Sequence, residues 1–420
     1  MRYICDFHIH SHYSRATSKD MNIEELDKWA RIKGIDVLGT GDFTHPKWFR
    51  ELQEKLEPAE EGLYKFKNGN SPIRFILTVE VSSIYSQGGQ VRRIHNIVFA
   101  PSFEAASKLN RLLGEVGNLR ADGRPILGLP AHELLRMTLD VSEDCLLVPA
   151  HAWTPWFSIF GSKSGFNSIE ECFGDLSKYI YAIETGLSSD PAMNWRLSAL
   201  DNITLISNSD CHSARRIGRE ANVFEGDKLN YKNIIGAVKK EGNNLSLVET
   251  IEFYPEEGKY HYDGHRDCKI SLSPKESQKI NETCPKCGSP LTVGVLSRVE
   301  ELADRPDGYK PARAVSFRRL VPLDEIIAEA LGVVGSQTKG VLKWYNNLIE
   351  SFGNEFNILL AAPLGEVGSI SLPEIAEGLR RVREGELYIA PGYDGEYGKV
   401  RIFKENEKQS RKEQPRLFNM

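Results

Sequence analysis

Asp6-Phe7-His8-Ile9-His10 near the start of the chain and Ser209-Asp210-Cys211-His212 midway along it decide the fold between them. Successive residues of a strand point to opposite faces, so His8 and His10 project to one side. Asp210 and His212 stand in the same i, i+2 relation. Two such pairs, each ending a strand, can meet around a metal ion. Imidazole with carboxylate suits Zn²⁺, Mn²⁺ or Fe, and carboxylate-rich variants suit Mn²⁺ or Mg²⁺. An HxH alone would more often be two polar residues at a strand end. Both pairs together favour a metal site.

Outward from these motifs, residues 1–253 alternate strand and helix patterns. Strands are expected at 2–9, 35–39, 73–81, 93–99, 145–149, 179–184, 203–207 and 246–253. Asn22 is an N-cap for a helix at 23–33, with Glu25 at the capping-box position and Gly34 past its end. Asp190-Pro191 opens a helix at 191–200. The alternation predicts an α/β fold with a parallel sheet or barrel, whose site lies at the C-terminal strand ends. Several lone residues fall on or at the end of these strands: Asp42 after VLGTG, Glu80 in FILTVEV, His95 in RRIHNIVF and His151 after LLVPA. With the two pairs they make a metal set of His8, His10, Asp42, Glu80, His95, His151, Asp210 and His212. One Zn²⁺ takes about four ligands, so this set suggests two or three ions with bridging carboxylates. Ions about 3.5–4 Å apart stabilise both oxygens of an in-line phosphoryl transfer. His12, His45 and His132 read more simply as loop residues. Glu184, ending YAIETG, could face the site or be structural.

Beyond residue 253 the character changes. His265-x2-Cys268, fifteen residues, then Cys284-x2-Cys287 reads as a structural zinc ribbon, with His261 a weaker alternative to His265. Such a polar stretch lacks the apolar residues to fold unaided. Leu323, Ile326, Ile327, Ala330 and Leu331 form one helical stripe. Val341, Leu342, Tyr345, Leu348, Ile349 and Phe352 form another. Ser371 to Glu374 looks like a capping box, and 386–403 like a hairpin. The expected units are an α/β domain at 1–253, a zinc ribbon at 254–300, a mainly helical region with a C-terminal hairpin at 301–403, and a disordered tail at 404–420.

HIH near the start, lone Glu and His residues on later strands and a closing DxH resemble the PHP (polymerase and histidinol phosphatase) superfamily. The resemblance implies a distorted (βα)7 barrel over residues 1 to about 250 and a trinuclear metal centre. His8, His10, Glu80, His95, His151, Asp210 and His212 match its motifs position by position, with His8, His10, Asp210 and His212 at the catalytic core. Two positions depart. Asp42 stands where the family often has His, and Arg15 where it has an acid or His, leaving His12 or Asp20 as the nearest substitutes. With the ribbon and the helical segment LGVVGSQTKGVLKWYNNLI, the chain resembles the zinc-ribbon branch that includes the endonuclease Q family. That resemblance implies incision of DNA on the 5′ side of deaminated bases (uracil, hypoxanthine, xanthine) or abasic sites, through phosphoryl transfer on two or three Zn, Mn or Mg ions, with one structural Zn in the ribbon.

A base reached in this way must leave the stack. Trp153, Trp156 and Phe157 follow His151, and Tyr393 and Tyr397 lie in a Gly-rich turn. All are candidates for stacking on DNA, with core packing the competing role. Competing functions are a phosphomonoesterase of the histidinol phosphatase type and a non-catalytic DNA-binding module. The annex of roughly 170 residues argues against the first, and the near-complete ligand set against the second. Net charge is −5, with 40% hydrophobic and 26% charged residues, which excludes a generally basic coat protein but not a local basic groove. The pairs Arg92-Arg93 and Arg318-Arg319, and the clusters at 215–219 and 380–383, read singly as solvated surface. The absence of a signal-peptide pattern and the scattered Cys5, Cys145, Cys172 and Cys211 suggest a cytoplasmic protein. Gln414, Leu417 and Phe418 partially resemble a sliding-clamp-binding peptide.

Overall fold

The computed structural model describes residues 1–67, 70–242 and 244–404. The strand Arg2–Asp6 lies parallel to Val37–Gly39 and antiparallel to Ala221–Gly226. The helix Ile23–Lys33 joins the first two, as its caps predict: Asn22 Oδ1 accepts from Glu25 N at 3.0 Å, and Gly34 closes it at φ 86°. Glu25 does not complete a capping box; its carboxylate turns to Lys28. An eleven-stranded sheet grows from these strands. It runs through Leu245–Glu252 to Ser316–Arg319 on one side, and through Arg74–Gln87 to Gln90–Ala100 and Leu146–Pro149 on the other. Ala182–Glu184 and Thr204–Ile206 form a separate parallel pair.

The molecule is therefore mixed α/β with a central sheet, but the sheet is not all parallel. Arg74–Gln87 and Gln90–Ala100 are antiparallel from Leu77 to Gln87, joined across Gly88 and Gly89 at φ 61° and 75°. Two consecutive positive φ values are what a tight hairpin with the right strand twist requires, and glycine adopts them freely. No helix fits between them. Ala221–Gly226 is a strand that the sequence pattern does not announce. The helix after Asp190 is also shorter than expected: Pro191–Asn194 is one turn, and Ser198–Leu200 is a separate one.

Five helices follow the sheet, from Leu323–Ala330 to Pro373–Glu384. The inner residues of both expected stripes are buried, including Ile326, Ile327, Tyr345 and Leu348. The capping box at Ser371 is not formed. Ser371 Oγ donates to Val367 O, and the helix starts at Pro373 behind Leu372. The hairpin pairs Tyr388–Ala390 with Lys399–Arg401. The tail from 405 onwards, with its clamp-like peptide, lies outside the described residues. A buried ion pair, Lys33 Nζ to Glu355 Oε2 at 2.7 Å, ties the first helix to this helical annex. Glu355 also accepts from Leu323 N and Tyr345 Oη, so its charge is compensated from both sides. No helix among the described residues is long and apolar enough to cross a membrane.

Two fully buried carboxylates, Glu220 and Glu252, stand just before the strand Ala221–Gly226 and at the end of the strand Leu245–Glu252. Thr185 Oγ1 donates to Glu252 at 2.9 Å and Phe253 N to Glu220 at 3.2 Å, while one oxygen of each has no partner. Burial pushes Glu252 up to about 8, far above about 4.3 for a free glutamate. The stability it contributes is full below the unfolded value and is lost as pH rises through the folded one. Glu252→Gln, which has no charge to bury, is expected to change stability little at pH 5. At pH 9 it should add on the order of 1–3 kcal/mol, measured by denaturant unfolding at both pH values.

Candidate metal centre

The two founding motifs lie side by side. Ile9 and Cys211 form a parallel bridge, and His10 N donates to Cys211 O at 3.2 Å. His8, His10 and Asp210 therefore share one wall, and Glu80 closes it from the strand Arg74–Gln87. His10 Nε2 is 3.0 Å from Asp210 Oδ1 and 3.3 Å from Glu80 Oε2. His8 Nε2 is 3.6 and 3.7 Å from the same two oxygens. The other Glu80 oxygen, Oε1, faces His95 Nδ1 at 2.6 Å and His151 Nε2 at 3.0 Å. Two donor sets result: His8, His10, Glu80 and Asp210, and Glu80, His95 and His151, the donor atoms of each within 4.8 Å of one another. Glu80 belongs to both.

The chemistry of these sets fits divalent cations. His8 Nε2 is buried with no hydrogen-bond partner and points at two carboxylates, which is how a nitrogen ligand stands. Carboxylates also hold the rear of the rings. Glu184 reaches His8 Nδ1 with both oxygens, at 3.0 and 3.1 Å, and accepts from His151 N at 2.7 Å. Asp42 Oδ1 lies 3.1 Å from His10 Nδ1. Thr154 Oγ1 lies 3.2 Å from His151 Nδ1. A carboxylate on Nδ1 keeps the proton of a neutral ring there and leaves Nε2 free to ligate. Asp42, His151 and Asp210 all have positive φ, at 50°, 29° and 45°. Such backbone is costly for non-glycine residues and clusters at functional sites.

Charge is tightly balanced. Burial works against protonated His8, but Glu184, Asp210 and Glu80 outweigh it and hold the ring well above its ordinary value. Burial also opposes the charge on Glu80, and His95 and His8 overcome it, holding the carboxyl well below the usual range. His95 goes the other way, pushed down by burial to about 4.

Of the eight residues expected as ligands, six make up the two sets. Asp42 lies behind His10 instead, its second oxygen occupied by Ser11 N, Ser11 Oγ and Ser14 Oγ. His212 stands at the rim, its ring 4.6 Å from that of His10. None of the substitutes near Arg15 enters the sets. His12 bonds Met21 O, Asp20 is exposed, and Arg15 reaches Asp122. His45 stacks on Tyr13 and His132 pairs with Asp175, as loop residues do. Glu184 proves to face the site. Arg124, in ADGRP, carries no motif and is missed by sequence reasoning; its Nη1 lies 3.1 Å from Glu80 Oε2.

His265, Cys268, Cys284 and Cys287 form a third donor set, with His265 Nδ1 3.7 Å from Cys287 Sγ. His261 is buried and stacks on Tyr262 instead. Among the aromatic candidates, Trp153 is buried and donates to Asn194 Oδ1 at 2.7 Å. Tyr393 packs so closely on Gly264 that a Cβ there would strike it. Both pack against other parts of the chain. Trp156 and Tyr397 are exposed. Trp156 meets the ring of Tyr260 edge-on at 5.6 Å, and Lys259 Nζ sits 4.5 Å over Tyr397. Of the basic clusters, Arg380 and Arg381 pair with Glu377, and Arg383 caps the carbonyls of Ile358, Leu359 and Ala362.

The family model of the MJ0043 C-terminal domain matches residues 322–386. The chain is 34% identical over 270 residues to the uncharacterised protein MJ0043 of Methanocaldococcus jannaschii, a match covering 62% of this chain and 33% of that one. It thus spans about a third of that relative's length. The crystal structure of a lesion-specific endonuclease, PfuEndoQ from Pyrococcus furiosus, matches with a TM-score of 0.85 and 32% identity, covering 98% of this chain and 99% of that one. Endonuclease Q in complex with a 27-mer duplex carrying an abasic lesion at the active site matches with a TM-score of 0.84 and 33% identity, covering 96% and 98%. With that identity sustained from end to end of both chains, this protein belongs to the endonuclease Q family.

Proposed function

We propose that the protein is a metal-dependent DNA-repair endonuclease that hydrolyses the phosphodiester on the 5′ side of a deaminated base (uracil, hypoxanthine or xanthine) or an abasic site. The observation that supports this best is Glu80, a buried carboxylate shared by two donor sets in a chain that matches a lesion-specific endonuclease over its full length. His8, His10, Glu80 and Asp210 would hold one divalent ion, and Glu80, His95 and His151 a second, with His212 at the rim beside a third position. Such ions stabilise the attacking and leaving oxygens of phosphoryl transfer. Glu184 and Asp42 orient His8 and His10 from behind. His8, His10, Asp210 and His212 are the catalytic group of this reading, with Asp210 and His212 on its open side.

Residues 1–253 would form the (βα)7 PHP barrel and 254–300 a ribbon holding one structural Zn through His265, Cys268, Cys284 and Cys287. Residues 301–403 would add grip on the duplex. The exposed rings of Trp156 and Tyr397 are the proposed stacking contacts for an unpaired base, which costs less to extrude when damaged. A sliding clamp is a further proposed partner, through Gln414, Leu417 and Phe418.

A labelled duplex with one central deoxyuridine is expected to be nicked just 5′ of the lesion, and an undamaged duplex left intact. Chelation should abolish the cut. Asp210→Asn should lower the rate by about 10²–10³, and Glu184→Gln by about 10–100-fold through its effect on His8. Turnover of p-nitrophenyl phosphate with no nicking would favour the phosphomonoesterase instead. For the ribbon, elemental analysis should find one zinc that Cys284→Ser loses while the ions at Glu80 stay bound; zinc retained in that variant would remove the ribbon from this reading.

A further inference from the structure

The donor cluster is closed on every side but one. His8, His10 and Glu80 are at most 1% exposed in their side chains, whereas Asp210, His212 and Arg124 are 26%, 32% and 25% exposed. Two of these three are founding residues of the site. The third is a cation, and a cation at the mouth of a cation-binding site requires a physical reason. Its like charge weakens metal binding. Neutralising Glu80 is not that reason, because bound metal would do the same. An anion brought in by the substrate is.

Arg124 is also held in place as a binding group would be. Its own N–H donates to Asp122 Oδ1 at 3.2 Å. The next residue, Pro125, accepts from Ser82 N, and Ile126–Leu127 pairs with the strand that carries Glu80. The register of that pairing therefore sets the guanidinium against Glu80 Oε2, the oxygen that also faces His8 and His10. Gly123 lies so close to Asp42 that a Cβ would run into its carboxylate. Asp122 Oδ2 faces Arg15 Nε at 3.4 Å, and the Arg15 side chain is otherwise exposed. One buried aspartate thus links two arginines along the open side.

Resting on the endonuclease reading above, we propose that Arg124 contacts the non-bridging oxygens of the scissile phosphodiester and that Arg15 contacts a neighbouring phosphate. A planar guanidinium presents paired donors that match two phosphate oxygens, which an ammonium does not. Contact with the scissile group acts on the charge that develops during transfer, so it belongs in kcat. Contact with a flanking phosphate belongs in binding.

The test uses the metal-loaded full chain with two substrates, the deoxyuridine duplex and bis(p-nitrophenyl) phosphate, which has no base. Arg124→Gln should lower kcat on both by about 10²–10³ with KM within a few-fold and bound metal unchanged by elemental analysis. Arg124→Lys should recover part of the loss. Arg15→Gln should raise KM for the duplex and reduce the slope of log affinity against log salt by about one. Wild-type kcat in Arg124→Gln would overturn the proposal. So would activity lost in step with bound metal and regained in excess metal, since that marks a structural counter-ion. If the wild type hydrolyses bis(p-nitrophenyl) phosphate but leaves the duplex intact, the repair reading fails while the kcat effect still decides Arg124. Hydrolysis of neither overturns both.

Discussion

Glu80 carries a buried charge between four imidazoles, and much of the surrounding structure exists to make that arrangement tolerable. Removing a carboxylate from water costs several kcal/mol unless partners surround it. Here one oxygen faces His95 and His151 and the other faces His8 and His10. The histidines are fixed from behind in turn, by Glu184, Asp42 and Thr154. The centre is thus layered: a shared carboxylate, a ring of imidazoles, then the acids and hydroxyl that orient them.

The parts legible in the sequence are those encoded by short periods. The i, i+2 spacing of His8 and His10 holds in the extended segment past Arg2–Asp6, and the paired spacings of His265, Cys268, Cys284 and Cys287 anticipate the third donor set. Glu80, His95 and His151 are visible as polar interruptions of apolar strands. What escapes is decided by tertiary placement. Asp42 follows its strand as a ligand would, but a left-handed turn carries it behind His10. Glu184 ends a strand just as plausibly, and nothing local tells which of the two faces the centre. Arg124 sits in a loop whose local signals, Asp122-Gly123 before it and Pro125 after it, mark a turn and say nothing of a site. The expected strand–helix alternation gives way at Gly88 and Gly89, where a tight turn replaces a crossover. Ser371 looks like a helix cap but bonds back to the preceding helix, since Pro373 already supplies a start.

The helical annex is joined to the sheet by more than apolar contact. Lys33, Glu355 and Tyr345 form a buried, fully compensated joint, and residues from Ile23 to Phe403 share one apolar cluster. Burying an ion pair adds little net stability but penalises misalignment heavily, because a single partner left alone is costly. The joint therefore fixes orientation. It keeps the annex at a set angle to the strand ends.

The bridge between Ile9 and Cys211 also has a consequence for how the molecule is made. His10 and Asp210 lie 200 residues apart in the chain, so the first histidines leave the ribosome well before the carboxylate that faces them. Contacts so distant in sequence close late, after their loop entropy has been met by other structure. The nascent amino-terminal half therefore already carries Glu80, His95 and His151, whereas the set of His8, His10, Glu80 and Asp210 is complete only when Asp210 has been made and bridged into register.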